Sequence, residues 1–266
     1  TPLCESAIVG AALGLSINGY KAMMEMQFSD FVTVGFNQIV NNLAKIHYRW
    51  GQNADVVVRM PTGAGVAAGP FHSQSTEGWF FHTPGLKIVY PSSPREAKGL
   101  LLAAFEDPNP VMFFEHKALY RSISEEVEEG YFTIEIGKAS VVKEGNDVSV
   151  ITYGLGVKWA EDLQKKNPET SIEIVDLRTL SPLDTETIFN SVRKTNRVIV
   201  LHEANTTGGV GAEIATLINE NCFENLDAPV RRLGSLDTPV PFAAELEQNF
   251  FPLEELHHAL THLINY

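Results

Sequence analysis

The sequence predicts an α/β protein made of two successive units, each a parallel sheet covered by helices. Three observations carry this. ADVVVRM (54–60), KIVY (87–90), PVMFFE (110–115), VSVITY (148–153), IEIVDL (172–177) and RVIVLHE (197–203) are short, almost continuous apolar runs, the pattern of strands buried on both faces. Segments of helical period lie between them, and that alternation calls for a parallel sheet packed under helices. The acidic stretch RSISEEVEEG at 121–130 breaks the rhythm, as a connector does, and divides the chain into units of 1–125 and 126–266.

In order along the chain, residues 4–18 form a helix closed by Asn18-Gly19, which can supply the left-handed turn at a helix end. Gly10, Gly14 and several alanines give that helix a slim, closely packing surface. KAMMEMQF (21–28) reads as a strand, and 30–47 as a helix with Phe36, Ile39, Val40, Leu43 and Ile46 on one face. A helix at 94–106 separates the strands at 87–90 and 110–115. In the second unit, helices are expected around 157–166 and 184–193, and GGVGAEI (208–214) opens another. APVRRLG (228–234) supplies a late strand and 253–265 a closing helix. There are no internal repeats and no low-complexity segments.

With 266 residues, 44% hydrophobic and 20% charged, the chain has material for two ordinary domains. No apolar run approaches the roughly 18 residues of a membrane span. The formal net charge of -13 argues against a general nucleic-acid binder, which needs a Lys/Arg surface to neutralise phosphates. Small molecules or proteins are the expected partners. Cys4 and Cys222 are far apart and offer neither a metal-ligand spacing nor a disulfide framework, so a reducing, cytoplasm-like compartment fits. The chain begins at Thr1 without an initiator Met, as a fragment or processed product would.

Several residues invite chemistry, each with a plainer explanation beside it. Glu5 is the one charged residue in TPLCESAIVGAALGLSING, and a carboxylate in a first helical turn is stabilised by about 0.3 to 1 kcal/mol with no further purpose. The glycine loops MPTGAGVAAGP (60–70) and TTGGVGAE (206–213) match no phosphate-binding fingerprint and read as structural turns. His72, in FHSQSTEGWFFHTPG, is on residue type alone no better a candidate than His82 or His116. Asp107 and Asn109, in EDPNP, are turn formers around Pro108, with an oxygen-ligand cation site as the other reading.

Taken together, TPLCE, EMQFSDF, FHSQSTEGWFFHTPGLKIVYPSSPREAKGLL, EDPNPVMFFEHKALYR, DLRTLSPLD and HEANTTGG resemble the beta subunits of the thiamine-diphosphate-dependent 2-oxo acid dehydrogenases. The likeness extends over nearly the whole chain, and the order and spacing of six blocks make it specific. It implies two three-layer α/β/α domains, a pyrimidine-binding thiamine-diphosphate fold followed by a transketolase C-terminal-like domain. It also implies that an N-terminal strand and helix of the family are lacking.

On this resemblance Glu5 corresponds to the glutamate that hydrogen-bonds the cofactor's aminopyrimidine ring nitrogen. Leu3, Gln27 and Phe31 correspond to its pyrimidine pocket. His72 corresponds to the active-site histidine that handles a proton during acyl transfer to a lipoyl group. Ala104 (through its carbonyl), Asp107 and Asn109 correspond to a structural potassium site, and the second half carries no catalytic residue. The GDG-led motif that holds magnesium and diphosphate in thiamine enzymes does not occur. An alpha subunit, or an alpha domain fused upstream, is therefore expected to hold that end of thiamine diphosphate in an α2β2-type assembly.

The implied activity is oxidative decarboxylation of a 2-oxo acid and reductive acylation of a lipoyl domain on an acyltransferase core. HKALYR and HSQST look closer to the branched-chain subfamily than to pyruvate dehydrogenase, with pyruvate or acetoin as alternatives. The implied location is the cytoplasm, or the mitochondrial matrix in a eukaryote. A non-catalytic assembly and acyltransferase-docking module is the competing reading from another class, and transketolase-like chemistry a third.

Overall fold

The computed structural model describes residues 1–266. The first half opens with α1 (Glu5–Ile17) and β1 (Ala22–Glu25). The helix ends as its sequence indicates, with the Asn18 side chain donating to the Gly14 carbonyl at 2.7 Å and Gly19 turning the chain at φ 87°. The strand is shorter than the expected 21–28. Beyond Glu25 one more ladder bond forms, from the Met26 amide to the Arg59 carbonyl at 2.9 Å, and Ser29–Phe31 then closes a 3-10 turn.

The single helix expected at 30–47 is divided into α2 (Val32–Asn37), a π-helical run at Gln38–Leu43 and α3 (Ala44–Trp50). A π turn inserts extra backbone into the helical path, and the apolar stripe still faces inward, with Ile39, Leu43 and Ile46 buried. Then come β2 (Val56–Thr62), α4 (Glu77–Phe81), β3 (Lys87–Val89), α5 (Pro94–Glu106), β4 (Val111–His116) and α6 (Leu119–Ser122). Ser93 caps α5, its hydroxyl accepting from the Glu96 amide at 3.3 Å, with Pro94 in the first position, where its missing N–H costs nothing.

The second half contains β5 (Ser140–Lys143), β6 (Val148–Thr152), α7 (Leu155–Lys166), β7 (Ile172–Asp176), β8 (Thr179–Ser181) and α8 (Thr185–Thr195). It continues with β9 (Val198–Asn205), α9 (Gly211–Cys222), β10 (Arg231–Ser235), α10 (Ala244–Phe250) and α11 (Leu253–Ile264). No helix is long and apolar enough to cross a membrane. Cys4 is exposed and Cys222 buried, both as free thiols.

The sheets run β1-β2-β4-β3-β8 and β10-β9-β6-β7-β5. Both are mixed rather than purely parallel, because β8 and β5 pair antiparallel at one edge of each. The cause is local. Only Leu177 and Arg178 separate β7 from β8, too little chain for a parallel crossover, and both edges of β7 are already taken by β6 and β5. The reversed β8 therefore docks on β3 of the first sheet and joins the two halves.

Around that junction the two sheets share one core. Ile88, Tyr90 and Phe114 from the first half meet Ile151, Tyr153 and Val175 from the second. Tyr90 stacks on Phe114 with ring centroids 5.7 Å apart and tilts against Tyr153 at 5.3 Å. A side chain anchored in one half is in this way held at fixed position relative to the other.

Candidate active site at the carboxyl edge of the first sheet

Ligands of open α/β sheets gather outside the carboxyl ends of the strands, and the expected pyrimidine-side residues come to that edge. A short turn at 18–21 joins α1 to β1, so helix and strand run antiparallel and Glu5 returns to the level where β1 ends. Gln27 and Phe31 follow β1 directly, and His72 lies in the loop after β2. Gly35 lets α2 approach the first turn of α1, since a Cβ there would stand 3.2 Å from Val9 Cγ2 and 3.5 Å from the Glu5 carbonyl oxygen. Glu5 is half-buried, yet its carboxylate makes no hydrogen bond or ion pair within the chain. Leu3 is 95% exposed, an apolar side chain that nothing in this chain covers.

His72 stands among aromatic rings. Its imidazole meets Phe28 edge-on at 5.0 Å and Phe31 at 5.7 Å, and the two phenyl rings are 5.9 Å apart. The loop bearing it is fixed just beyond it, at Gln74. The buried Asp30 accepts from the Gln74 amide at 3.1 Å and from the Gln74 side chain at 2.9 Å, while Ser29 and Thr62 both donate to the Gln74 carbonyl. His82 is exposed at the end of α4. His116 is buried against Glu203, accepting the Ala118 amide on Nδ1 at 3.2 Å, so that its proton sits on Nε2 and is donated to the Glu203 carboxylate.

The second half, from which no catalytic residue is expected, supplies part of the frame. Glu203 on β9 accepts from the Ala64 amide at 2.7 Å and from the Ser75 hydroxyl at 3.2 Å. Burial acts to raise its pKa, but the His116 ring, the Ala64 amide and Ser75 outweigh that and hold it below the usual carboxylate range. Glu247 on α10 accepts from the Gly65 and Ala67 amides at 3.0 and 2.9 Å. Three amides of the 60–70 glycine loop, those of Ala64, Gly65 and Ala67, are thus occupied by the protein's own carboxylates. Gly63, at φ 88°, has no freedom to change, for a Cβ there would lie 2.1 Å from His116 Nε2. The 206–213 loop is likewise structural: a Cβ on Gly209 or Gly211 would enter the buried His202 ring at 2.5 or 2.6 Å.

Glu77, at the start of α4, was not singled out by its sequence context. It is 1% exposed, and its Oε1 accepts the Tyr153 hydroxyl at 2.9 Å across the domain junction. Burial, with Glu203 nearby, raises its pKa to about 7 against the partial relief from Tyr153 and its own helix amide.

Ala104, Asp107 and Asn109 lie apart from these groups, at the carboxyl end of α5 and so at the opposite, amino edge of the sheet. The Asp107 carboxylate is paired with Lys87 and accepts the Asn109 amide and side chain at 2.9 and 2.8 Å. These partners hold its pKa below the ordinary value in spite of partial burial. What they leave to a cation is carbonyl oxygen, including that of Ala104, to which Pro108 has no N–H to offer.

An unpartnered carboxylate at the same sheet edge as the Phe28 and Phe31 rings, with an uncovered leucine, suits a heteroaromatic ring with a protonated edge nitrogen. No cluster of basic groups stands there for a diphosphate. The residues present therefore fit one end of thiamine diphosphate.

Fold and edge site together define a transketolase-type architecture. Residues 1–123 match the family described as "Transketolase, pyrimidine binding domain" and 137–255 match "Transketolase, C-terminal domain". A solved "Split gene transketolase, inactive beta4 tetramer" superposes with a TM-score of 0.79 at 24% identity, covering 99% of this chain and 82% of that one, a likeness of fold.

Within that class the chain belongs to the beta subunits of the 2-oxo acid dehydrogenases. It is 47% identical to "2-oxoisovalerate dehydrogenase subunit beta, mitochondrial" of Dictyostelium discoideum, covering 92% of this chain and 68% of that protein. It is 46% identical to "2-oxoisovalerate dehydrogenase subunit beta" of Bacillus subtilis, over 94% and 78%. It is 45% identical to "Pyruvate dehydrogenase E1 component subunit beta" of Staphylococcus aureus, over 91% and 76%.

Proposed function

We propose that this chain is the beta part of the decarboxylating component of a 2-oxo acid dehydrogenase, acting on a branched-chain 2-oxo acid and passing the acyl group to a lipoyl domain. The observation that carries the proposal is the half-buried Glu5 carboxylate, without a partner of its own, at the edge that holds Phe28, Phe31 and His72. Thiamine diphosphate, when bound, supplies the electron sink for decarboxylation. Glu5 would accept a hydrogen bond from its aminopyrimidine ring nitrogen, with Phe31 against the ring face and Leu3 and Gln27 beside it. His72 would move a proton at the lipoyl sulfur during acyl transfer.

An alpha subunit or a fused alpha part would hold the diphosphate and magnesium, completing an α2β2-type enzyme. The frame at Asp107 and Asn109 would take potassium only through carbonyl oxygens, its carboxylate being matched by Lys87. The domain boundary is placed at 125/126, inside the acidic connector. The branched-chain preference rests on HKALYR and HSQST, since identities to the two kinds of relative are nearly equal. The test is reconstitution with an alpha partner, thiamine diphosphate and magnesium. Decarboxylation of 3-methyl-2-oxobutanoate faster than pyruvate supports the reading, pyruvate preference moves it to the alternative substrate, and no turnover on either favours an assembly module.

A further inference from the structure

Lys117 follows the last residue of β4, and its amide extends the ladder to β2 by donating to the Thr62 carbonyl at 3.0 Å. Its ammonium donates to the carbonyl of His72 and stands 4.9 Å from the centroid of the Phe28 ring, the same ring whose edge meets His72 at 5.0 Å. In a chain with 33 acidic residues, this half-buried lysine has no carboxylate at ion-pair distance. Burial lowers its pKa, opposed by Asp30, Glu203 and Glu247 acting from farther away. An ammonium taken partly out of water and given a backbone carbonyl and an aromatic face in place of a counter-ion is costly. The use of that arrangement is geometric, because it ties the middle of the His72 loop to the rigid end of β4.

Two sets of contacts fix this loop. Gln74 is held by Ser29, Asp30 and Thr62, which secures the loop two residues beyond the imidazole but does not anchor the backbone of His72 itself. The turn before it is loose, its His72 amide reaching the Gly69 carbonyl at 3.4 Å. Lys117 provides the remaining constraint at His72. We infer that Lys117 is a positioning residue, which presents the His72 imidazole from the Phe28–Phe31 face at the angle acyl transfer needs. This rests on the role given to His72 above.

The test uses the assembled enzyme with its alpha partner, carrying Lys117→Met, Lys117→Arg, His72→Ala, and Lys117→Met combined with His72→Ala. Lys117→Met should lower the kcat of lipoyl acylation about tenfold, the scale of a lost charge-assisted hydrogen bond, with KM for the 2-oxo acid unchanged. Lys117→Arg, which keeps a cationic donor, should restore most of the rate. The double variant should fall no further than His72→Ala alone, since one residue acts through the other. Independently of activity, amide hydrogen exchange over residues 71–73 should speed up in Lys117→Met and return toward normal in Lys117→Arg. Additive losses in the double variant, or exchange unchanged in Lys117→Met, would overturn the inference. Full acylation by His72→Ala would instead overturn the role of His72, while the exchange result would still report on the tether.

Discussion

Replacing Glu77 by glutamine should make the protein more stable at alkaline pH and nearly neutral in effect at acid pH. The carboxyl is raised from an ordinary 4.5 to about 7, first by burial and then by the neighbouring Glu203. A raised carboxyl favours the protonated form in the folded state, so its contribution is intact below the unfolded value and is lost as pH climbs through the folded one. The full span is worth about 3 kcal/mol at about 1.4 kcal/mol per pH unit. Between about pH 5 and pH 8 the variant should gain about 2.5 kcal/mol on the parent. For a chain of this size that is a relative shift in Tm of roughly 5 to 10 °C.

Glutamine retains an oxygen for the Tyr153 hydroxyl, which donates to Glu77 at 2.9 Å, and all other titrating groups are common to both proteins and cancel. Differential scanning calorimetry of parent and Glu77→Gln at the two pH values reads the difference directly. A gap in Tm that stays constant with pH, or one that narrows as pH rises, would refute the assignment of a buried, near-neutral carboxyl to this position.

Gly63→Ala should destabilise the chain by about 2 to 5 kcal/mol, from the left-handed backbone and the collision with His116. Combined with His116→Ala the loss should be less than additive in urea unfolding, because the second change makes room for the first methyl. Strict additivity would place the strain elsewhere. In the reconstituted enzyme, His72→Ala should reduce lipoyl acylation by about 100-fold or more and reduce decarboxylation with an artificial electron acceptor far less. Equal losses in the two assays would mean that His72 binds substrate rather than moving a proton.

The strands that form the two sheet centres were legible because Val56–Thr62, Val148–Thr152 and Val198–Asn205 are buried along nearly their whole length and so open on unbroken or nearly unbroken apolar runs. The edges were not. Thr179–Ser181 is only a three-residue strand, and its antiparallel pairing with β3 depends on which sheet has a free edge, a property of the finished fold. The π run at Gln38–Leu43 keeps a helical apolar pattern and leaves no mark in composition.

At the site, the expected residues Glu5, Phe31 and His72 sit in recognisable blocks, but the groups that hold them do not. Glu203 and Ala64 are 139 positions apart and Asp30 and Gln74 are 44 apart, and no local pattern announces either bond. Lys117 reads in sequence as an ordinary lysine following a strand, and only its burial against Phe28 gives it a role. Glu5 illustrates the reverse case. In sequence it is adequately explained by the helix dipole, and the structure adds that no group in the chain pairs with it.

That carboxylate is where the account is most exposed to test. With the alpha partner, thiamine diphosphate and magnesium present, Glu5→Ala should still assemble, and without cofactor its unfolding should move by no more than the roughly 0.3 to 1 kcal/mol of a first-turn carboxylate, since the side chain makes no hydrogen bond or ion pair in the fold. It should lower turnover of the 2-oxo acid by at least about 100-fold, the low end for loss of a group that directs proton transfer. Normal turnover by a correctly assembled Glu5→Ala enzyme would contradict the account.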